Sequence, residues 1–377
     1  MTDTKGQAVS LDSDAEAFPL RSEQESMWLT ERIRPGSANL TIGFAIRYRG
    51  SADAAHLEEV LRTVVGRHPA QRLTIGMRAG RPVQTVHGEV RVDFTHERRD
   101  RWTDDELRRR AADFLGRPFD LAEGPLIRFL GMSSGSDDHV LVVAAHHIIA
   151  DMWSMALLGR EMAEAYAQSD AAGQRRPSRQ EGFAAFVHRE RTYVSSEDGE
   201  RAGAFWAEAL AEPPEPPHLA AGRAVHDGAI ARHSVRLDAS AAAALRELAR
   251  QSGTTLHSTL LAGYFALLHR YSGQNDLVIG SYRANRSPRN VRTIGCFRNT
   301  VAWRDDLGDR PSIGELLCRV DDAVTSSGPY LRYPLHDVLE RLDPYGDRLW
   351  TELFSCTFQW NKTSRMIDPR LVTAMNA

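Results

Sequence analysis

The residues most suited to chemistry are two adjacent histidines, His146 and His147, with Asp151 four residues after the second. They end a dense apolar run that begins after His139, and such a run is typical of a strand buried on both faces. Side chains alternate along a strand, so the two rings must point to opposite faces. We therefore expect one histidine to be wedged into the core and its neighbour to face the space on the other side.

The same alternation argues against a metal site, because two rings on opposite faces do not easily bind one ion and no third ligand stands at a suitable spacing. The three cysteines, Cys296, Cys318 and Cys356, are widely spaced and form no Cys-x-x-Cys pair, which indicates structural thiols. No phosphate-binding glycine-rich loop with its lysine is present. The sequence thus predicts no metal and no nucleotide chemistry.

Asp151 has two interpretations. It lies where the chain turns into the next helix, so it is either an N-cap that accepts backbone N–H groups or a buried carboxylate paired with an arginine. The second interpretation makes Asp151 an orienting residue that fixes the loop around His147. Removing one partner of a buried ion pair costs roughly 3–5 kcal/mol, because the other charge is left uncompensated.

One short motif suggests a different enzyme class. Residues 131–135 read Gly-Met-Ser-Ser-Gly and match the Gly-x-Ser-x-Gly letters of a hydrolase nucleophile elbow. That elbow must connect a strand to a helix, whereas these residues lie between two predicted strands and precede Ser136, Asp137 and Asp138, which is typical of a hairpin turn. The sequence therefore disfavours a serine hydrolase.

The elements that position these residues alternate between helix and strand over the first part of the chain, which predicts a mixed α/β lobe. Ser22 is the predicted N-cap of the first helix, with Glu25 at capping-box spacing. The other elements expected here are strands at 40–48, 72–75, 84–86, 90–94, 126–132 and 139–145 and helices at 57–65, 104–115 and 153–167.

Composition changes after Gln168, where Ser, Gly, Arg and Pro accumulate up to Ala224 and indicate a connection with one or two helices, one of them containing Phe205 and Trp206. A second α/β pattern follows. Its expected elements are strands at 231–237, 277–281, 299–304 and 354–360 and helices at 240–251, 256–271, 313–326 and 335–342. The predicted organisation is a mobile leader (1–17), an N-terminal lobe (18–175), an inter-lobe connection (176–228) and a C-terminal lobe (229–377).

Length and composition agree with two lobes. The 377 residues are 42% hydrophobic and 26% charged, as in a globular protein that is neither disordered nor embedded in a membrane. A net charge of -3 provides no basic field for nucleic acid. No apolar run approaches the roughly 20 residues of a membrane span, and the leader lacks the apolar core of a secretory signal. We expect a cytoplasmic protein without a nucleic-acid or membrane partner.

The histidine segment and several other motifs resemble one family. His146 to Asp151 resembles the His-His-x-x-x-Asp-Gly signature of the condensation-domain superfamily, which includes the condensation domains of nonribosomal peptide synthetases and CoA-dependent acyltransferases. Further segments resemble family motifs in order and spacing: Ser22 to Trp28, Arg67 to Pro69, Arg117 to Leu121, Gly124 to Arg128, Arg270 to Gln274, Ile279-Gly280, Ala284 to Arg286, and Ile294 to Phe297 with Asn299-Thr300. Ordered matches across most of the chain make this resemblance very specific.

The resemblance implies two chloramphenicol-acetyltransferase-like α/β lobes in a V shape, with the active site in a tunnel between them. It implies an acyltransferase of natural-product biosynthesis, in which an amine on an acceptor carrier attacks an acyl or peptidyl thioester on a donor carrier and an amide forms. No cofactor or metal on the domain itself is implied, since phosphopantetheine arrives on the carriers. The donor carrier is upstream, with delivery in trans left open, the acceptor carrier is downstream, and the isolated domain is expected to be monomeric.

By the same resemblance, His147 is the catalytic residue, either as general base or by positioning the amine, and His146 and Asp151 support it. Arg286 is the expected partner of Asp151, ahead of Arg62 and Arg67. Residues from about 282 to 299 are expected to form a loop that crosses between the lobes. The residues expected to line the tunnel or shape the substrate are Met152, Trp153, Ser154, Asn299 and Asn361.

The chain departs from the family pattern in two places. Met152 stands where the signature usually has glycine, and its bulk is expected to narrow or reshape the tunnel. The chain stops at Ala377, where family members usually continue, so the C-terminal lobe is expected to be incomplete. Two alternatives remain: a stand-alone acyl-CoA-dependent acyltransferase, and a condensation-like domain that has lost catalysis and recruits carrier proteins.

Overall fold

In a computed structural model of the chain, the described residues are 16–51, 53–167, 181–219, 233–342 and 355–361. The chain divides into two compact units. Within the described residues, unit 1 comprises 16–191 and 286–298, and unit 2 comprises 192–285 and 299–361. The predicted boundaries at 175/176 and 228/229 lie outside the described residues, and that division of the chain stays a prediction.

Unit 1 is built from alternating strands and helices. In chain order they are β1 (Glu16–Pro19), α1 (Ser22–Ile33), β2 (Thr41–Arg49), α2 (Ala54–Arg67), β3 (Leu73–Arg78), β4 (Arg81–Val86), β5 (Asp93–Arg99), α3 (Asp104–Leu115), β6 (Ile127–Ser134), β7 (Asp138–His146), α4 (Met152–Ala167) and α5 (Phe183–Val194), whose last residues belong to unit 2.

The larger sheet of unit 1 carries the histidines. Its strand order is β2-β7-β6-β5, with β5 and β6 parallel and the other pairs antiparallel. A separate antiparallel sheet has the order β1-β4-β3. In β7, every residue from His139 to His146 is buried, since β2 and β6 flank the strand and apolar side chains cover both of its faces.

Unit 2 has more helix than strand among its described residues. Its elements are α6 (Glu197–Ala209), α7 (Ala239–Gln251), α8 (Leu256–Ser272), β8 (Asp276–Ala284), β9 (from Arg298, the last residue of unit 1, to Asp306), α9 (Ile313–Ser326) and α10 (Leu335–Leu342). β8 and β9 are hydrogen-bonded neighbours. Its core includes Trp206, Phe265, Ile279 and Val338. None of the helices in the described ranges of the whole chain is long and apolar enough to cross a bilayer.

Many predicted elements are confirmed. The helices expected at 104–115, 313–326 and 335–342 have those limits in the structure, and the helix expected around Phe205 and Trp206 is α6. The strand pair on either side of residues 131–139 is the antiparallel pair β6–β7. Ser133 therefore lies inside a strand that continues into a hairpin, and not on a strand-to-helix elbow.

Four local predictions were wrong in whole or in part. Arg21, not Ser22, caps α1, and its N–H donates to Gln24 Oε1 at 3.1 Å, so the capping glutamine precedes Glu25 by one residue. The strand expected at 90–94 begins only at Asp93. Residues 233–238 form no strand, and 355–361 form only an isolated bridge between Thr357 and Gly280. Residues 231, 232 and 354 lie outside the described ranges.

Candidate active site

The two histidines occupy different environments at the end of β7. His146 is the last residue of the strand, pairs with Thr41 of β2, and is only 2% exposed. His147 is the first residue beyond the strand and is partly exposed. Its N–H donates to Leu40 O at 2.7 Å, which extends the β2–β7 pairing by one step. The expectation that one ring is in the core and the other is not is therefore confirmed.

Both ring nitrogens of His146 have partners inside unit 1. The Ile148 N–H donates to Nδ1 at 3.1 Å, so in a neutral ring the proton lies on Nε2 and is directed to Glu31 Oε1 at 3.2 Å. Phe119 packs edge-on against the ring. These contacts tie the end of β7 to the following turn, which suits a structural histidine better than a reacting one.

The hydrogen bonds of His147 define its tautomer. Nδ1 lies 2.8 Å from Ala150 O, and a carbonyl oxygen can only accept, so Nδ1 carries the proton. Nε2 of the neutral ring therefore has a free electron pair for a hydrogen bond. Arg298 Nη1 lies 3.3 Å from this Nε2 and can only donate to it.

The surroundings of His147 favour the neutral imidazole. Burial of the ring lowers its pKa to about 4, and the positive charge of Arg298 acts in the same direction. The Asp151 carboxylate opposes this effect, but it does not cancel it. At neutral pH the ring is thus an uncharged hydrogen-bond acceptor at Nε2.

The Asp151 carboxylate combines both of its predicted roles. Oδ1 accepts the Ser154 N–H at 2.7 Å, which caps the first turn of α4. Arg286 Nη2 donates to Oδ1 at 2.9 Å and lies 3.2 Å from Oδ2, and the Phe297 N–H donates to Oδ2 at 3.0 Å. Asp151 is 3% exposed. One buried carboxylate therefore holds both α4 and the segment 286–298.

The partner expected for Asp151 is confirmed. The Arg286 side chain is 3% exposed, and its Nη1 donates to Asn290 O at 3.1 Å and to Thr293 O at 2.6 Å, while its guanidinium lies over the Phe297 ring. Burial lowers the pKa of Arg286 and the charge of Asp151 raises it. The second-choice Arg62 instead pairs with Glu58 one turn away on α2.

The first turn of α4 also binds the segment 286–298 directly. Trp153 Nε1 donates to Val291 O at 2.9 Å, and Ser154 Oγ donates to Gly295 O at 2.7 Å. A Cβ at Gly295 would lie 2.4 Å from an atom of the Phe183 ring, so only glycine fits there without displacing that ring. The irregular segment between β8 and β9 covers 285–297, which is shorter than the expected 282–299.

The residues expected to line a tunnel differ in exposure. Met152, the first residue of α4, is 42% exposed, and Trp153 is partly buried. Ser154 has no exposed surface, and its hydroxyl is occupied by Gly295 and by Arg286 Nη2 at 2.7 Å. Ser154 therefore makes contacts unlike those of a residue that lines a tunnel. The substrate-shaping roles of Met152 and Trp153 stay predictions.

The two asparagines of the same set belong to unit 2. Asn299 is fully buried, and its Nδ2 donates to Leu331 O at 3.0 Å and to Tyr333 O at 2.8 Å. Asn361 is exposed, and its Oδ1 lies 3.4 Å from Gln359 Nε2. The contacts described for Asn299 and Asn361 do not involve His147, and the tunnel-lining roles of these two residues stay predictions.

Sequence reasoning missed Arg298 and the carboxylate that holds it. Arg298 Nε and Nη2 both lie 3.0 Å from Glu23 Oε1, and the Glu23 side chain is 1% exposed. The sequence did offer a signal for Arg298, because this arginine lies between Phe297 and Asn299 in a segment that resembles a family motif. Nothing in the local pattern paired it with a glutamate at the start of α1.

Arg21 was missed for a similar reason. It is fully buried and forms two 2.7 Å bonds to the Glu190 carboxylate. Its Nη1 also donates to Cys296 O at 2.6 Å and to Arg298 O at 2.8 Å. An arginine before a helix usually lies in solvent, whereas this one joins three distant parts of unit 1.

Comparison with known proteins places the chain in a family. The family model described as "Condensation domain" matches residues 14–369. Phosphinothricin tripeptide synthetase PhsB of Streptomyces viridochromogenes is 33% identical over 91% of this chain, and bacitracin synthase 3 of Bacillus licheniformis is 30% identical over 92%. The chain spans only 29% and 5% of the lengths of these two synthetases.

Solved structures agree on the fold. The crystal structure of the X-domain from teicoplanin biosynthesis is 27% identical, with a TM-score of 0.81, and the match covers 93% of this chain and 78% of that one. The predicted fold class, two chloramphenicol-acetyltransferase-like α/β lobes, is confirmed, while the V shape and the shared tunnel stay predictions. Condensation domains catalyse amide formation from thioesters, an acyltransferase reaction. By its family match and its relatives, this chain belongs to the condensation domain family of nonribosomal peptide synthetases.

Proposed function

We propose that this chain joins an acyl or peptidyl thioester on a donor carrier protein to the amino group of an aminoacyl thioester on an acceptor carrier. The amine nitrogen forms a bond to the thioester carbonyl carbon, and the carbon–sulfur bond breaks. The proton lost by nitrogen goes to the departing sulfur. The product is an amide on the acceptor carrier and a free thiol on the donor carrier.

His147 is the proposed catalytic residue. The observation that carries this role is the Nδ1–H to Ala150 O bond, which leaves Nε2 unprotonated in a neutral ring. General bases work best when their pKa lies near the working pH, whereas the pKa of His147 is about 4. An α-amino group has a pKa of about 8. His147 is therefore better suited to hold and orient the attacking amine through a hydrogen bond than to remove its proton outright.

His146, Asp151 and Arg286 are proposed as supporting residues, because their contacts hold the turn and the segment around His147 and do not point to a reacting group. Met152 is proposed to shape the acyl site, since it is an exposed, bulky side chain five residues after His147. The two carriers deliver their substrates on phosphopantetheine arms. A donor carrier acting in trans, a monomeric domain and a cytoplasmic location complete the proposal.

The test uses the chain with two separate carrier proteins, one loaded with members of a panel of fatty-acyl and aminoacyl donors and the other with an aminoacyl acceptor. Intact-mass spectrometry of the acceptor carrier is expected to show the added acyl group. His147→Ala is expected to lower the rate about 10²-fold, because the amine loses the group that orients it. Arg62→Ala, which changes an exposed pair on α2, is the matched control and should retain the rate. Product formation by His147→Ala at the wild-type rate would refute the role of His147.

A second candidate function is recruitment of carrier proteins without catalysis. It is favoured by one observation, the Arg298 N–H that faces His147 Nε2. In that case the wild-type chain binds loaded carriers but forms no amide with any donor of the panel. Product formed from acyl-CoA, and not from carrier-bound donors, would instead identify a stand-alone acyltransferase.

A further inference from the structure

The Arg298 side chain lies next to the ring of His147, the proposed catalytic residue. It is the last residue of unit 1 before the chain returns to unit 2, and it begins β9. Its side chain is 20% exposed, so it is neither a free surface arginine nor a fully enclosed one. Nε and Nη2 of its side chain contact Glu23, and Nη1 contacts His147.

The hydrogen at Nη1 faces the electron pair that an attacking amine would need. Because Nδ1 of His147 is engaged by Ala150 O, Nε2 is the ring nitrogen left to accept. A guanidinium cannot lose its proton in a protein, so Arg298 can only donate at this position. While Nη1 lies 3.3 Å from Nε2, the amine of an acceptor cannot use the same electron pair.

The position of Arg298 is fixed by other charged groups. The buried Glu23 carboxylate holds Nε and Nη2 at 3.0 Å. The backbone on which Arg298 stands is held by Arg21, which binds the Arg298 carbonyl, and by Asp151, which accepts the Phe297 N–H. These contacts keep the guanidinium directed at His147 without any contribution from a substrate.

From this geometry we propose that Arg298 is a positioning residue that masks His147: its guanidinium occupies the hydrogen-bonding site of Nε2, and condensation requires that this contact be broken. The proposal rests on the proposed function. The masking contact, at 3.3 Å, is longer than the 3.0 Å contacts of Arg298 with Glu23. Displacement of Nη1 therefore leaves the stronger pair with Glu23 in place.

The charges around His147 predict a second observable effect of the mask, which is a change in the pKa of His147 when Arg298 is removed. The charged groups near the ring are Arg298 with its partner Glu23, and Asp151 with its partner Arg286. Arg298 lowers the pKa of His147, and Asp151 raises it. Removing Arg298 and Glu23 together as a neutral pair therefore allows the ring to gain a proton at a higher pH, because the repulsive charge is gone.

The test is the double variant Glu23→Gln/Arg298→Met, in which neither partner leaves an unpaired buried charge. The titration of His147 is followed by NMR of the full chain with nitrogen-15-labelled histidine, and its signals are identified by their loss in His147→Gln. We expect the pKa of His147 to rise from about 4 but to stay below its ordinary value of about 6.5, because burial of the ring, the larger cause, remains. In the two-carrier assay, we expect the rate to rise roughly tenfold, the factor that corresponds to one competing hydrogen bond.

Two further variants keep the test interpretable. Glu97→Gln/Arg110→Met makes the same chemical change in a more exposed pair between β5 and α3, and it should alter neither the titration nor the rate. Glu23→Gln/Arg298→Gln removes both charges but keeps a hydrogen-bonding amide at each position, and it replaces the first double variant if that protein does not fold. It is expected to shift the titration in the same direction.

The outcomes separate this inference from the proposed function. A higher pKa with a faster reaction supports the mask. An unchanged titration overturns it, and so does a higher pKa with an unchanged or slower reaction, because the amine then does not need the site that Arg298 occupies. If no variant and no wild-type chain forms an amide, the proposed function fails, and the titration alone decides whether Arg298 caps Nε2.

Discussion

Asp151 shows how one buried carboxylate can serve two parts of a chain at once. Its four hydrogen bonds, two with Arg286 and one each with the Ser154 and Phe297 N–H groups, leave neither oxygen unpaired. A carboxylate with such a set of donors is retained in a nearly closed environment because the desolvation penalty is offset. Removing it leaves Arg286 buried without its countercharge.

We therefore predict that Asp151→Ala lowers the free energy of unfolding by roughly 3–5 kcal/mol. Urea denaturation followed by circular dichroism measures this change. The control is Glu58→Ala, which breaks an exposed pair on α2 and is expected to cost less than about 1 kcal/mol. Equal stabilities of Asp151→Ala and the wild-type chain would mean that the Arg286 pair does not stabilise unit 1.

The depressed pKa of His147 predicts a pH dependence of stability. The unfolded chain binds a proton at His147 below about pH 6.5, whereas the folded ring, with a pKa of about 4, binds one only below about pH 4. Stability linked to this residue is therefore complete above pH 6.5 and falls as the pH decreases from about 6.5 to 4. The loss is on the order of 2 kcal/mol, given that the ring is partly exposed.

His147→Gln is expected to remove this part of the pH dependence. Unfolding free energies of the variant and the wild-type chain are compared between pH 4 and pH 7, so that contributions from other histidines cancel. We expect the difference between the two proteins to change from about pH 6.5 to pH 4 and to be constant between about pH 6.5 and pH 7. Parallel curves over the whole interval would contradict the lowered pKa.

At the scale of elements, the frame of His147 consists of the end of β7, the first turn of α4 and the segment 286–298. The segment has no regular structure of its own among residues 285–297, so its shape depends on bonds to α4 and on contact with α5. At Gly295 the backbone of the segment lies against the Phe183 ring of α5.

Substituting alanine at this glycine tests that contact. A Cβ there would lie 2.4 Å from the Phe183 ring, so Gly295→Ala must shift the ring or the backbone, at an expected cost of about 1–3 kcal/mol in unfolding free energy. Gly76→Ala in β3 is the control, because a Cβ there has no atom within 4 Å. Thermal unfolding of both variants measures the effect, and an equal midpoint for the two would argue against tight packing at Gly295.

At the scale of the whole molecule, unit 1 is discontinuous in sequence. It needs residues 286–298, which follow more than ninety residues of unit 2 in the chain. Without this segment, Asp151 loses Arg286 and the Phe297 N–H, and Arg21 loses two carbonyl partners. Unit 1 is thus completed only after most of unit 2 has been synthesised.

A fragment of residues 1–191 is accordingly expected to be much less stable than unit 1 within the full chain. Circular dichroism melts of the fragment and of the full chain measure this, and a synthetic peptide of residues 286–298 is expected to raise the melting temperature of the fragment when added in excess. A fragment that melts cooperatively at the temperature of the full chain would show that the segment is not needed.

The sequence alone was enough to predict the α/β fold, most helices and strands, the pair of histidines and the Asp151–Arg286 pairing. These predictions succeeded where the information is local or where a motif repeats a family pattern. Regular periodicity predicts a helix such as α3, and the apolar run before the histidines predicts the buried strand β7. The strands expected near 233 and 357 failed because an apolar run does not by itself supply a neighbouring strand to pair with.

Only the tertiary structure decided that Arg298 meets His147 and that Arg21 meets Glu190. His147 and Arg298 are 151 residues apart, and Arg21 and Glu190 are 169 residues apart, so no local pattern relates them. Burial then determines the state of each group, since removal from water disfavours a charge unless a partner compensates it. The sequence identified the imidazole, but its tautomer, its lowered pKa and the guanidinium on its Nε2 follow from packing between distant segments.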